Sequence, residues 1–108
     1  ITPLLHVTEI RSMRADDLWL SPAYGVDTVG IHFTWHRDDR IFGVLPAIEE
    51  RLIPLGARPH WGKASTVPPA TIRESYPRFD DFAQLLHEVD PEGTFRSPFV
   101  TRLLGVPG

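Results

Sequence analysis

Three short segments of this 108-residue chain carry side chains that can hold and activate hydroxyl groups. The pairs Glu9-x-Arg11 and His32-x-Thr34 each place two polar residues two positions apart, and on a strand that spacing puts both on one face. The segment Ala57–Lys63 (ARPHWGK) adds cations, an aromatic ring and an imidazole. A carboxylate accepts hydroxyl protons, whereas Arg and Lys donate to hydroxyl oxygens. If the three segments converge, they could hold several hydroxyls of a linear polyol.

The same residues also have an ordinary structural interpretation. Glu9 and Arg11 could form a surface ion pair that contributes only ~0–1 kcal/mol. In a non-catalytic interaction module, these two residues and Lys63 would be solvated charges scattered over a convex surface. In a binding site they should instead cluster beneath a concave surface. The burial and mutual distances of these three side chains therefore discriminate between the two functions.

The histidines and tryptophans allow further alternatives. His32 and His36 are four residues apart, which on a strand is about 13 Å, too far to share a metal ion. We therefore expect no metal site. Trp19, Trp35 and Trp61 could form a stacking platform for a sugar or belong to the core. Trp35 is interpreted as core because it lies on the apolar side of its strand, and Trp61 stays open between the two.

Alternating patterns predict the strands that would position the two polar pairs. Residues 4–13 alternate so that Glu9 and Arg11 share a face. Residues 29–36 are rich in β-branched and aromatic residues, and their polar face carries His32 and Thr34. The segment 57–63 is predicted to be a short strand or an extended loop.

Apolar spacing and end signals predict four helical segments, at residues 41–52, 71–74, 77–89 and 98–104. Asp38 or Asp39 is the expected N-cap of the first helix, and Pro46 predicts either a kink or a later start. The second has the capping-box pattern Thr71–Glu74 and follows a Pro-rich turn. Ser97 should cap the last helix, which Gly105 should end.

The bulk composition is that of a soluble globular chain. Hydrophobic residues make up 42% and charged residues 23%, and the net charge is −3. The charge disfavours nucleic acid as a partner, and the sequence has no apolar run that predicts a membrane span. There are no cysteines, and neither GxGxxG nor GxxxxGK[ST] occurs. We expect an α+β fold, with helices packed on one face of an antiparallel sheet, forming a single domain or sub-domain over residues 1–108.

Six landmarks, in order, resemble one family of flavoproteins, the sugar-alcohol and aldonolactone oxidases. Within it the likeness is greatest to the alditol (xylitol) oxidases. The landmarks are TEIR (8–11), WLSPAYG (19–25), HFTW (32–35), RPHWGK (58–63), YPRF (76–79) and DPEGTF (90–95). They extend over nearly the whole chain. The resemblance implies that the chain is the C-terminal portion of the substrate (cap) domain of such an oxidase. The absence of an initiating Met also suggests a piece of a longer protein.

The resemblance also implies roles for the candidate residues. Glu9, Arg11, Thr34 and Lys63 match the family's polyol-binding positions, and His32 matches a histidine that lines the same pocket. Arg11 and Lys63 would stabilise a developing alkoxide, and His32 could take the proton.

In the family, hydride passes from the alcohol to FAD, and oxygen reoxidises the flavin to give hydrogen peroxide. The substrate would be a linear polyol such as xylitol or sorbitol, with an aldonolactone or a free sugar as the alternatives. The FAD-binding domain is not in this chain, so its expected partner is that domain of the parent protein. We expect the isolated chain to be inactive and the parent to be cytoplasmic.

Overall fold

The computed structural model describes residues 3–105. Its elements, in chain order, are β1 (Leu5–Met13), β2 (Thr28–Trp35), α1 (Ile41–Leu52), a 3₁₀ turn (Ile53–Leu55), α2 (Pro69–Glu74), α3 (Phe79–Val89) and α4 (Pro98–Leu104). The predicted α+β class and the antiparallel pairing of the two strands are confirmed. Within the described residues, no helix is long and apolar enough to cross a membrane.

The two strands form an antiparallel ribbon whose register is set by direct cross-strand pairs. Glu9 lies opposite His32, and Ile10 lies opposite Ile31. The register slips between Leu5 and Val7, which places a bulge at the open end of the ribbon. Because residues directly opposite each other point to the same face, the ribbon has one mixed polar face and one apolar face.

The connection between the strands is folded tightly on itself. The backbone N–H of Asp16 donates to the carbonyl of Ala23 (3.1 Å), and that of Gly25 donates to the carbonyl of Asp16 (2.9 Å). The Ser21 hydroxyl donates to the Asp16 carboxylate at 2.5 Å. Gly25 has φ of 72°, a conformation that favours glycine. Residues 16–25 therefore form an ordered loop, called here the 16–25 loop.

Helix α1 differs from the sequence expectation at its start. Its N-cap is Arg40 rather than Asp38 or Asp39, and no side chain caps it. Asp38 instead accepts from the backbone N–H of Arg40 (2.9 Å) and from its guanidinium, so its carboxylate is engaged before the helix begins. The helix neither ends nor begins at Pro46 but includes it.

The three C-terminal helices follow the predicted order, and two of them have shifted starts. Helix α2 begins at Pro69 rather than at the Thr71 capping box, because proline is favoured in the first helical turn. Helix α3 begins at Phe79, two residues later than expected. At α4 the prediction is confirmed, since the Ser97 side chain accepts from the backbone N–H of Val100 and Gly105 follows with φ of 73°.

The main hydrophobic core lies among these three helices. Its buried members are Ile72, Tyr76, Phe79 and Leu103. The half-buried residues that pack around them include Leu20 of the 16–25 loop and Trp61. Most side chains of β1, by contrast, are exposed. The helices therefore carry the buried core, and the ribbon extends from it.

Candidate functional site

Four of the five predicted site residues lie together on the polar face of the ribbon. They are Glu9, Arg11, His32 and Thr34, and they are called here the ribbon cluster. The guanidinium of Arg11 donates to the carboxylate of Glu9 at 2.9 Å. Nδ1 of His32 lies 3.8 Å from the same carboxylate oxygen, which is beyond hydrogen-bond reach. Thr34 follows His32 by two residues and lies opposite Val7 on this face.

The register explains why the cluster forms. Period-two alternation would place Glu9 beside Arg11 and His32 beside Thr34 in any strand, but it does not say whether the two pairs share a face. The observed pairing of Glu9 with His32 makes them share it. The alternation predicts the two pairs, and the register brings the pairs together.

The ribbon cluster is open to solvent in this chain. The side chains of Arg11 and Glu9 are 75% and 45% exposed. An ion pair this exposed contributes only ~0–1 kcal/mol to stability. The ion pair therefore contributes little to the stability of the fold, and both groups remain available to a ligand that would cover them.

Lys63 lies in a separate part of the fold. It is exposed, and its backbone N–H donates to the carbonyl of His60 at 3.2 Å in a turn. Within residues 3–105, no hydrogen bond or ion pair connects Lys63 with the ribbon cluster. Residues 57–63 form a loop, which agrees with the extended-loop alternative.

Arg58 anchors the beginning of this loop. Its half-buried guanidinium donates through Nε to the carbonyl of Ser75 (2.9 Å). One terminal nitrogen donates to the carbonyls of Pro22 and Tyr24, each at 3.2 Å. The guanidinium also lies 4.9 Å from the centre of the Tyr76 ring. Arg58 thus joins the loop both to the 16–25 loop and to the end of α2.

Trp61 anchors the middle of the loop. Its indole N–H donates to the carbonyl of Leu20 at 2.8 Å, and its ring stacks on Tyr76 with centroids 5.1 Å apart. It also packs against the buried core. The geometry therefore supports Trp61 as a core residue and not as a stacking platform for a sugar. Trp35 is half-buried and stacks on Phe33 at 5.5 Å, and Trp19 lies beneath the guanidinium of Arg78.

Glu49 of α1 anchors the chain beyond Lys63. Its carboxylate accepts from the Ser65 hydroxyl (2.8 Å), from the Thr66 backbone N–H (3.0 Å) and from the Thr66 hydroxyl. A single carboxylate thereby fixes the two residues that follow Ala64. Lys63 stands between two anchored stretches of backbone.

Sequence reasoning missed both Arg58 and Glu49 as organising residues. The sequence signal for Arg58 is its place in an extended segment, where a long donor with several N–H groups can reach backbone carbonyls of neighbouring loops. Glu49 has no comparable signal, because it is one of two adjacent glutamates on the helix. Its role follows only from the tertiary approach of α1 to residues 65 and 66.

Two shallow grooves lie away from the ribbon cluster, between α1 and α2. Their volumes are about 230 and 340 Å³, and they share Ile53, Val67 and Thr71 as lining residues. Small-molecule sites typically enclose about 300–1,000 Å³ and bury most of the ligand. These grooves, together with the lack of a glycine-rich phosphate loop, do not fit a dinucleotide such as FAD. Neither groove is assigned to the cofactor.

Comparison with known proteins places this arrangement in a family. Residues 5–103 match the D-arabinono-1,4-lactone oxidase family. The chain belongs to this family. The match includes the ribbon, the 57–63 loop and nearly all of α4, so the family portion and the described fold coincide.

Relatives of the chain carry the names of enzymes with different activities. The chain is 42% identical over 105 residues to an alditol oxidase of Streptomyces sp. (strain IKD472 / FERM P-14339), covering 96% of this chain and 25% of that protein. It is 36% identical over 103 residues to an L-gulono-1,4-lactone dehydrogenase of Mycobacterium tuberculosis, covering 95% and 24%. It is 33% identical over 98 residues to an L-gulonolactone oxidase of Scyliorhinus torazame, covering 87% and 22%. The chain spans about a quarter of the length of these relatives.

Proposed function

We propose that this chain is the substrate-binding portion of an FAD-dependent alditol oxidase. The parent protein would oxidise a primary alcohol of a polyol with O2, giving an aldose and hydrogen peroxide. The observation that carries the proposal is the ribbon cluster, in which an acceptor, a permanent cation, an imidazole and a hydroxyl share one solvent-facing surface. The 42% identity to an alditol oxidase supports the polyol as substrate.

Each member of the ribbon cluster has a role that its chemistry permits. Glu9 accepts hydroxyl protons of the substrate, and Thr34 donates to or accepts from a neighbouring hydroxyl. Arg11 places a fixed positive charge where an alkoxide develops, and Lys63 adds a second. His32 receives the hydroxyl proton through an imidazole nitrogen. Holding several hydroxyls at once fixes the reacting carbon, which is catalysis by proximity.

The remaining parts of the site come from the rest of the parent. FAD would supply the redox chemistry and is bound mainly by a domain outside this chain. The same domain must cover the ribbon cluster, because fixed charges act strongly only where water is excluded. Closing of that surface would also bring Lys63 to the substrate. The isolated chain is therefore inactive in this proposal.

The second candidate is an aldonolactone oxidase or dehydrogenase of the same family. It is favoured by the relatives named L-gulono-1,4-lactone dehydrogenase and L-gulonolactone oxidase. A lactone presents a ring with fewer free hydroxyls than a linear polyol. The two candidates therefore differ in how many hydrogen bonds the ribbon cluster must supply.

The test is peroxide release by the full-length parent with xylitol, sorbitol and an aldono-1,4-lactone. We expect release with the polyols and a loss of about a hundredfold or more in kcat/KM for Lys63→Ala, as for removal of a charge-stabilising group. Arg102→Ala is the control, because Arg102 is an exposed cation on α4.

Three other results would change the assignment. Activity with the lactone alone would move it to the second candidate. A flavin-containing parent that oxidises none of these compounds, with O2 or with an artificial electron acceptor, would refute both. An unchanged kcat/KM for Lys63→Ala would remove Lys63 from the site.

A further inference from the structure

Arg58 binds several backbone carbonyls through one guanidinium. Within residues 3–105 its guanidinium donates to the carbonyls of Ser75 (2.9 Å), Pro22 (3.2 Å) and Tyr24 (3.2 Å), with a longer contact to Ser21 (3.5 Å). In the described part of the chain, no carboxylate forms an ion pair with it. Its positive charge therefore serves a geometric purpose, which is to gather carbonyl groups from two separate loops around one planar fork.

The second anchor reaches the same part of the molecule. Trp61 donates to the carbonyl of Leu20 at 2.8 Å, so both side chains bind the 16–25 loop. They stand five and two residues before Lys63. Beyond Lys63, the Glu49 carboxylate holds Ser65 and Thr66. The backbone that carries Lys63 is thus attached on both sides to elements that do not contain it.

We infer that Arg58 is a positioning residue that sets the location of Lys63 relative to the rest of the site. The inference rests on the proposed function, in which Lys63 contacts the substrate. Arg58 itself does not need to reach the substrate, because its guanidinium is already occupied by carbonyl groups. Loss of the fork would let residues 57–63 move relative to the 16–25 loop, and displacement of a positioned group by 1 Å can lower a rate by about a hundredfold.

The experiment compares Arg58→Ala, Arg58→Lys and the matched control Arg73→Ala in the full-length parent. Arg73 is also half-buried and donates to a backbone carbonyl, that of Leu103 at 2.7 Å, but it joins α2 to α4 and not the 57–63 loop. We expect both alanine variants to unfold at a lower temperature. Only Arg58→Ala should lower kcat/KM of the folded enzyme, by about tenfold or more. Arg58→Lys should not restore the wild-type value, because an ammonium group lacks the planar fork.

A double-mutant cycle with Lys63→Ala tests whether Arg58 acts through Lys63. If it does, Arg58→Ala lowers kcat/KM in the wild-type background and changes it less than about twofold when Lys63 is already absent, since coupled residues are not additive. If Arg58→Ala does not accumulate as folded protein, Arg58→Lys takes its place in the cycle.

Three results would overturn the inference, and they can be told apart. Equal losses in both backgrounds would mean that Arg58 acts on something other than Lys63. Kinetics unchanged from wild type in both Arg58 variants would leave Arg58 with a purely structural role, while the proposed function would stand. An unchanged kcat/KM for Lys63→Ala, while Arg11→Ala in the ribbon cluster is impaired, would remove both Lys63 from the site and the positioning role of Arg58.

Discussion

The ribbon and the three C-terminal helices differ in how deeply they bury their apolar residues. Among the helices, Ile72 and Leu103 pack with Tyr76 and Phe79, and all four are almost fully buried. On the ribbon, Ile10 is 72% exposed although it lies directly opposite another isoleucine. A two-stranded ribbon cannot bury both of its faces and is marginally stable by itself. The difference indicates a division of labour, in which the helices provide stability and the ribbon provides a surface.

The 57–63 loop belongs to both regions. Arg58 and Trp61 are half-buried and contact the helical core or its surroundings, whereas Lys63 is exposed. The motif that looks like one chemical unit in the sequence therefore has two separate roles in the fold. Its residues Arg58 and Trp61 stabilise the packing of the loop, and its last residue, Lys63, is exposed and available for binding.

Removal of a core aromatic ring is the strongest test of this division. Phe79→Ala should lower the free energy of unfolding by about 3–5 kcal/mol, because it removes a large buried side chain and leaves a cavity. Phe79 is 4% exposed, whereas Phe95 is 88% exposed and serves as the matched control. We expect Phe95→Ala to change the free energy by less than about 0.5 kcal/mol. Urea unfolding of the 108-residue chain measures both, and equal losses would show that the helices do not hold the stabilising core.

Substitution on the ribbon should lower the activity of the parent protein and leave the stability of the fold nearly unchanged. Arg11→Ala removes an exposed ion pair and should change stability by less than about 1 kcal/mol. In the parent protein it should lower kcat/KM by about tenfold to a hundredfold, equivalent to about 1.4–2.7 kcal/mol of transition-state stabilisation. Steady-state kinetics with a polyol measures this effect.

The control for Arg11 is Arg14→Ala, since Arg14 is an exposed arginine that follows β1 outside the ribbon cluster. Impairment of both variants to the same extent would indicate a general effect of surface charge. A kinetic loss confined to Arg11→Ala would separate the site from the scaffold.

The sequence predicts the parts of this fold that depend on local patterns. Alternation identifies both strands, and the Ser97 cap and Gly105 identify α4 because these signals act within a few residues. The start of α2 was misplaced because two signals, the prolines and the capping box, competed within four residues. The N-cap of α1 was wrong because Asp38 has a stronger local partner in Arg40.

The candidate site could be predicted only in part, and for a physical reason. Period two identifies which residues share a face of one strand, but the register between strands depends on tertiary structure. The sequence therefore predicts the pairs Glu9–Arg11 and His32–Thr34. It does not predict that the two pairs lie next to each other on one face of the ribbon. The anchors Arg58 and Glu49 bind groups 16 to 37 residues away in sequence, and no local pattern encodes such contacts.

The apolar face of the ribbon gives a prediction of smaller effect. Ile10 lies opposite Ile31, and Val29 is next to them on the same strand face, all three exposed. Exposed apolar patches favour association, so we expect the 108-residue chain to self-associate in sedimentation experiments. Ile10→Lys should reduce that association while changing the free energy of unfolding by less than about 0.5 kcal/mol. Leu55→Lys, at an exposed site in the 3₁₀ turn, should leave association unchanged; if it acts like Ile10→Lys, the association does not depend on the ribbon.

The smallest predicted effect is on the free energy of unfolding at alkaline pH. Burial raises the pKa of Tyr76 above its ordinary value of 10.0, although the charge of Arg58 acts in the opposite direction. Above that ordinary value the unfolded chain has lost the tyrosine proton while the folded chain still holds it. The unfolded state then binds fewer protons, so the free energy of unfolding must fall as pH rises through this window. Tyr76→Phe should remove this part of the fall and change little at neutral pH.

Equilibrium unfolding of wild type, Tyr76→Phe and Tyr24→Phe between neutral pH and the alkaline limit measures the contribution. Tyr24 is the other tyrosine of the chain and lies in the 16–25 loop outside the core cluster. We expect Tyr76→Phe to reduce the wild-type slope above the ordinary tyrosine pKa. If both variants keep the slope, the alkaline loss originates outside the helical core. In that case Tyr76 would not belong to the buried region that stabilises the fold, as distinct from the exposed region proposed to bind substrate.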